Sequence, residues 1–362
     1  MITWGISANS HDAALAVFDN DSLVFASHSE RFSGVKNDPH LSQRLLKHSQ
    51  ECWGHPDQVV WYERPFLKSV RQLSAGQGWC FGENNIKKYL EQYGITAPIE
   101  YAKHHHSHAA AGYYTSGYDE AVIVCIDSIG EFETLSIWQG RGNKLKRIFS
   151  QGYPHSVGLW YSAMTQRVGL KPNEDEYILM GMAAYGDSDR LYKDVRDMLN
   201  INKHDTLFPR YTEDPFLHFK KNFHQGCKDW KPNLTSEQDM YDIAAAAQRV
   251  YEEIFEATLK LARKISSSKN LVLMGGCALN CSANSLAYQY FDRVWIMPNP
   301  GDAGSSLGAA LAGLGKHIEW KTPLLGYNIS GDYPVRQVLE ELESNKIVGV
   351  ASGRAEFGPR AL

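Results

Sequence analysis

His104, His105, His106 and His108 fall within five consecutive residues, and their spacing sets the first chemical expectation. His104 and His108 are four positions apart, so on a helix they share one face, the arrangement in which two imidazoles bind one metal ion. A zinc-protease motif needs Glu directly after the first histidine, and His105 stands there instead. Two carboxylates are candidates to complete the set. Asp127 follows the apolar run 122–126 at a glycine-bearing turn, and Asp302 lies in Asn299-Pro300-Gly301-Asp302-Ala303-Gly304-Ser305, where it is also placed to cap a helix. Two imidazoles with two carboxylates fit iron, manganese or magnesium better than structural zinc, which favours thiolates and a closed tetrahedron.

Two glycine-bearing segments add to this. Met274-Gly275-Gly276-Cys277 separates an apolar strand from a helix start, where exposed amides can cradle an anion; it is neither a dinucleotide fingerprint nor a P-loop. The segment from Gly5 to Asp12 joins two strands, and at its tip His11 and Asp12 are placed to act as general base and orienting carboxylate.

The elements that must position these residues follow from hydrophobic period. Residues 2–6, 14–18 and 23–26 read as three antiparallel strands, 41–53 as a helix, 59–61 as a strand and 85–93 as a helix. A second strand-rich block covers 121–127, 134–139 and 145–150. Thr235-Ser236-Glu237-Gln238 reads as a capping box opening a helix of nearly thirty residues. A strand at 271–274, a helix from about 279, a strand at 294–297 and a small-residue helix at 303–314 complete an α/β layer. Residues 187–234 mix basic and aromatic side chains and read as an insertion facing a partner or substrate, against the alternative of a solvated face with core aromatics.

Composition bounds the class. The 362 residues suggest two lobes, and 37 basic against 41 acidic side chains leave a net charge of −4, which disfavours non-specific nucleic-acid binding. No stretch approaches the roughly 18 apolar residues of a membrane span. The first residues lack the basic region of a secretion signal, and the six cysteines form no CxxC pair, so a reducing cytoplasm is the expected location.

Together these segments resemble the O-carbamoyltransferase family that modifies nodulation factors and antibiotics. The resemblance rests on Gly5-Ile6-Ser7 through Ala14, Ser29-Glu30-Arg31-Phe32, the histidine cluster with Ala109, and Asp127-Ser128-Ile129-Gly130-Glu131. It continues through Pro154 to Ser162, Glu176 to Gly186, the Gly-Gly and Gly-Asp-Ala-Gly turns, and Gly358-Pro359-Arg360-Ala361-Leu362. It implies an α/β fold of the actin-like ATPase (ASKHA) type, two related lobes of mixed sheet flanked by helices. The first lobe is expected at 1–117 and the second at 118–345 with an insertion at about 187–234; 346–362 would begin a YrdC-like domain whose remainder is supplied in cis or in trans.

The resemblance further implies a divalent metal held by His104, His108, Asp127 and Asp302, and ATP contacts from Ser128, Gly130, Gly275, Gly276 and Asn280. Arg354 and Arg360 are expected to bind carbamoyl phosphate, which the YrdC-like domain converts with ATP to carbamoyl-adenylate. The acceptor is a hydroxyl on a sugar or antibiotic, or on a hydroxymethyl pyrimidine in DNA. Two rival readings are a threonylcarbamoyl-type tRNA-modifying transferase and a non-catalytic nucleotide-binding subunit.

Overall fold

The computed structural model describes residues 1–201 and 216–359. Its first sheet contains β1 (Ile2–Ser7), β2 (Ala14–Asp19), β3 (Ser22–His28), β4 (Gln58–Trp61) and β5 (Ile99–Tyr101), in the order β3-β2-β1-β4-β5. The first three strands pair antiparallel through short turns, whereas β1, β4 and β5 run parallel and need crossovers. The second sheet contains β6 (Glu120–Ile126), β7 (Glu133–Arg141) and β8 (Lys144–Gly152). After a small hairpin of β9 (Leu199–Ile201) and β10 (Leu217–Phe219), it gains β11 (Asn270–Met274) and β12 (Arg293–Ile296). Its order, β8-β7-β6-β11-β12, and its strand directions repeat those of the first sheet. The expected α/β architecture of two related lobes with mixed sheets is therefore the observed one.

Two helices fill the space between the lobes. His104–Thr115 packs on the second sheet, Gly304–Leu314 packs on β1, β2 and β4 of the first, and the two helices pack on each other. Small side chains permit this. Ala109, Ala110 and Ala111 are fully buried, and a Cβ at Gly308 would come within 1.9 Å of the Ser107 carbonyl oxygen. One at Gly5 in β1 would meet the Ser306 carbonyl at 2.0 Å, so the backbones approach more closely than any side chain allows.

The long helix runs Glu237–Ile265, and its cap lies one residue later than the sequence suggests. Ser236 Oγ accepts from the Asp239 amide at 3.1 Å, while the Asp239 carboxylate accepts from the Ser236 amide at 3.0 Å. The helix expected from about 279 is instead a 3-10 turn, Gly276–Leu279, and a single α turn, Cys281–Asn284. Helices Pro65–Ser74 and Val157–Arg167 are additional to those expected.

Residues 187–234 are more regular than expected, with a helix at Ser188–Arg196 and the β9-β10 hairpin; 202–215 of that stretch lie outside the described residues. Phe216, Phe219 and Phe223 are buried in the second lobe's core, so these aromatics are packing residues, as the alternative reading of a face with core aromatics has it. Among the described residues no helix is long and apolar enough to cross a membrane, and all six cysteines are free thiols.

Candidate active site

His104 and His108 occupy the first two turns of the inter-lobe helix, on one face as their spacing requires, and both are buried. Asp127 follows the last residue of β6, and Asp302 precedes the helix Gly304–Leu314. Asp302 does not cap that helix. Its carboxylate turns to the histidines, with Oδ1 3.3 Å from Nε2 of His104 and 3.3 Å from Nε2 of His108. Asp127 Oδ2 lies 3.1 Å from His104 Nε2 and 3.8 Å from His108 Nε2, and the two Nε2 atoms are 3.1 Å apart. The four donor atoms all lie within 4.8 Å of one another.

This donor set fits a divalent cation. Ligand bonds of about 2.0–2.2 Å place neighbouring donors roughly 3 Å apart, and two imidazole nitrogens facing each other at that distance repel unless a proton or a metal ion lies between them. Burial alone would push both histidines down, but the Asp302 and Asp127 carboxylates reverse it, raising His104 well above the ordinary imidazole range and His108 less far. Burial likewise opposes ionisation of Asp127 and Asp302, and the two histidines overcome it, holding both carboxyls below their usual range. The pocket is built to hold positive charge between these four groups.

Surrounding bonds fix each group. The Gly276 amide donates to Asp127 Oδ1 at 3.1 Å, leaving Oδ2 for the histidines, and Ser305 Oγ is 3.1 Å from His108 Nδ1. Glu131 accepts from the backbone amides of His104 and Arg64, tying the helix start to the segment after β4. Gly130 is needed beside them, because a Cβ there would come within 3.0 Å of the His104 ring. The other cluster members point elsewhere. His105 Nδ1 is 2.7 Å from Ser136 Oγ, and His106 stacks on Trp138.

His11 lies beside this cluster, half exposed at 48%, with Nε2 3.8 Å from Asp302 Oδ2. Asp12 turns the opposite way, to Nδ1 of the buried His28 at 3.3 Å, and His28 is bonded in turn to Asn299 at 2.8 Å. Of the expected nucleotide residues, Ser128 lines a cleft of about 350 Å³ together with His11, Asp127 and Asp302. Gly275 has a positive φ of 88° and no room for a Cβ, which would meet the Ile126 carbonyl at 2.2 Å. The Asn280 carboxamide exchanges hydrogen bonds with Gln248 at 2.9 and 3.0 Å and caps the short turn after it.

Arg354 lies in β14 (Gly353–Arg354), paired with β13 (Asn328–Ile329), and its guanidinium donates to the carbonyls of Val24, Leu325 and Gly326. Arg360 lies outside the described residues. Sequence reasoning gave no role to Glu63, Lys68 or Arg71. Glu63 Oε1 accepts from Lys68 Nζ at 2.6 Å, and its Oε2 lies 4.0 Å from His104 Nδ1. Lys68 and Arg71 stand on one face of an unread helix, at a spacing of three that was the available signal.

The family model described as Carbamoyltransferase N-terminus matches residues 64–311. An uncharacterised protein of Synechocystis is 31% identical, over 99% of this chain and 69% of its own length. The 3'-hydroxymethylcephem-O-carbamoyltransferase of Amycolatopsis lactamdurans is 26% identical, over 97% of this chain and 70% of its own. The nodulation protein NolNO of Sinorhizobium fredii is 24% identical, over 97% of this chain and 57% of its own.

Proposed function

The chain belongs to the carbamoyltransferases through their N-terminal family, and we propose that it is the part of an O-carbamoyltransferase that hands an activated carbamoyl group to an acceptor hydroxyl. The observation that carries this reading is the meeting of His11 with the buried His104, His108, Asp127 and Asp302 at one cleft. The activated donor is carbamoyl-adenylate, made from carbamoyl phosphate and ATP by a YrdC-like domain in cis or in trans. The relative that acts on a hydroxymethylcephem supports a small-molecule acceptor.

In the transfer step the acceptor oxygen bonds to the carbamoyl carbon, the bond from that carbon to the phosphoryl oxygen breaks, and AMP leaves with the electron pair. His11 Nε2 is the base for the hydroxyl proton, since it is half exposed and beside Asp302, whereas Asp12 positions the loop through His28. His104, His108, Asp127 and Asp302 would hold a divalent cation, iron ahead of manganese or magnesium, which supplies positive charge to the phosphoryl oxygens when bound. Ser128 and the Gly275-Gly276 turn, with Gly130 and Asn280, would take up the nucleotide in this reading.

The test supplies carbamoyl-adenylate, with the adenylate-forming domain added separately, and measures acceptor-dependent AMP release together with the carbamoylated product. Release should require an acceptor hydroxyl, and His11→Asn should lower it by about 10²-fold or more. Release that ignores the acceptor would sink the transfer reading.

A further inference from the structure

The cleft extends beyond the metal-binding groups, and its far wall is built from a buried cation. The helix Pro65–Ser74 brings Lys68 and Arg71 into the lining. Lys68 is neutralised by Glu63, its Nζ 2.6 Å from the carboxylate. Arg71 has no such contact. Only 7% exposed, it has no carboxylate within ion-pair reach among the described residues, Glu63 acting on it only from beyond that distance, and its Nη1 donates to the neutral Gln77 Oε1 at 2.8 Å. Its Nε has no acceptor among the described residues.

Two neighbours on the same cleft wall share this state. Because Gln77 Oε1 accepts from Arg71, Gln77 Nε2 faces His224 Nε2 at 3.2 Å and donates to it. That places the His224 proton on Nδ1, a buried donor without a partner among the described residues. Gln166 Oε1, also in the lining, is a buried acceptor that likewise has none among them. Burying a cation that no carboxylate contacts and leaving polar groups unpaired is costly, so such a wall is retained where a ligand completes it. Two donors, one fully charged, match an oxyanion, and the lone acceptor matches a neighbouring hydroxyl or amine.

We infer that this end of the cleft binds an oxyanion, a carboxylate or phosphate group carried by the acceptor, through Arg71 and His224, with Gln166 receiving a donor beside it. The inference rests on the transfer reading for the word acceptor. The donor nucleotide is assigned to the side of Ser128 and the Gly275-Gly276 turn, since Ser128 borders the cleft while Gly275, Gly276 and Asn280 lie outside its lining.

The experiment titrates the full chain, in chelator and with or without saturating AMP, with meta-hydroxymethylbenzoate, its neutral amide, and meta-hydroxymethylphenyl phosphate. At least one anion should bind about tenfold or more tightly than the amide, as a charge-assisted pair of hydrogen bonds provides. That advantage should vanish in Arg71→Gln, return in part in Arg71→Lys, and persist with AMP bound. Which anion is favoured distinguishes a carboxylate from a phosphate. Equal binding of the amide and both anions, or an advantage that survives in Arg71→Gln, overturns the site; competition from AMP overturns its assignment to the acceptor.

A second readout separates ligand binding from a structural role. With no ligand present, Arg71→Gln should have an unchanged or higher thermal midpoint, because it removes a buried charge that no carboxylate contacts. A fall of several degrees would show that Arg71 serves the fold and overturn the inference. If carbamoyl transfer is never detected while the anion advantage holds, the proposed function fails and the oxyanion site stands. If transfer is as fast with neutral acceptors as with anionic ones, the site fails and the function stands.

Discussion

At the scale of single residues, the four donor groups set how a cation competes with protons. His104 and His108 are raised by Asp302 and Asp127 against the effect of burial, so in the metal-free protein they hold protons above the pH at which free imidazole releases them. A cation must displace those protons. Its apparent affinity therefore falls as pH drops and keeps rising above about pH 6.5, by up to roughly tenfold per unit for each proton displaced. Titration of iron(II) or manganese(II) at several pH values, with proton release followed in weakly buffered solution, checks this; a flat affinity would exclude these histidines as ligands. The shared face of His104 and His108 was legible in the sequence because helical spacing fixes which histidines lie together. The fixing groups were not, since Ser305, Glu131 and Glu63 reach the histidines only through the fold. His11 and Asp12 are adjacent in sequence yet face different partners, Asp302 and His28, and no local rule separates them.

At the scale of elements, the site depends on how closely two helices cross. Gly308 lies against the Ser107 carbonyl, one residue from His108 in sequence, so an added methyl must push the Gly304–Leu314 helix away from the one bearing the ligands. Gly308→Ala should destabilise by about 1–3 kcal/mol and weaken cation binding as well, measured by thermal unfolding and by metal titration. A stable variant with intact affinity would show that the helices can move apart without cost. The long helix offers a cleaner comparison. Ser236→Ala should cost about 1 kcal/mol through loss of its cap, whereas Thr235→Ala should cost little, and denaturant unfolding distinguishes the two. The sequence offers both hydroxyls in register with a helix start. The Asp239 carboxylate accepts from both backbone amides, and only the Asp239 amide, donating to Ser236 Oγ, decides between them. Strands and long periodic helices were readable for the same reason that Pro65–Ser74 was not: burial on one face leaves a period, while this short helix buries Lys68, Ser69 and Arg71 in place of apolar side chains.

At the scale of the whole molecule, the repeated strand order shows what composition left hidden. The two blocks share no evident sequence repeat, yet both sheets take one order and one set of directions, because a fold fixes strand pairing and burial and leaves side-chain identity free within those limits. The four converging side chains are distributed over that duplication. His104 and His108 sit on the helix between the lobes, Asp127 follows the first strand of the second sheet, and Asp302 leads the helix that packs on the first. A cation held by all four therefore ties the lobes together and stabilises the folded chain as a unit. At a free cation concentration a hundred times its dissociation constant the gain is about 2.7 kcal/mol, or roughly 3–4 °C in thermal midpoint for a chain of this size. Iron(II) or manganese(II) should give that rise over a chelated sample, and Asp302→Asn and Asp127→Asn should each remove most of it. A rise of equal size in both variants would place the cation elsewhere in the molecule and leave the four converging side chains to be explained by protonation alone.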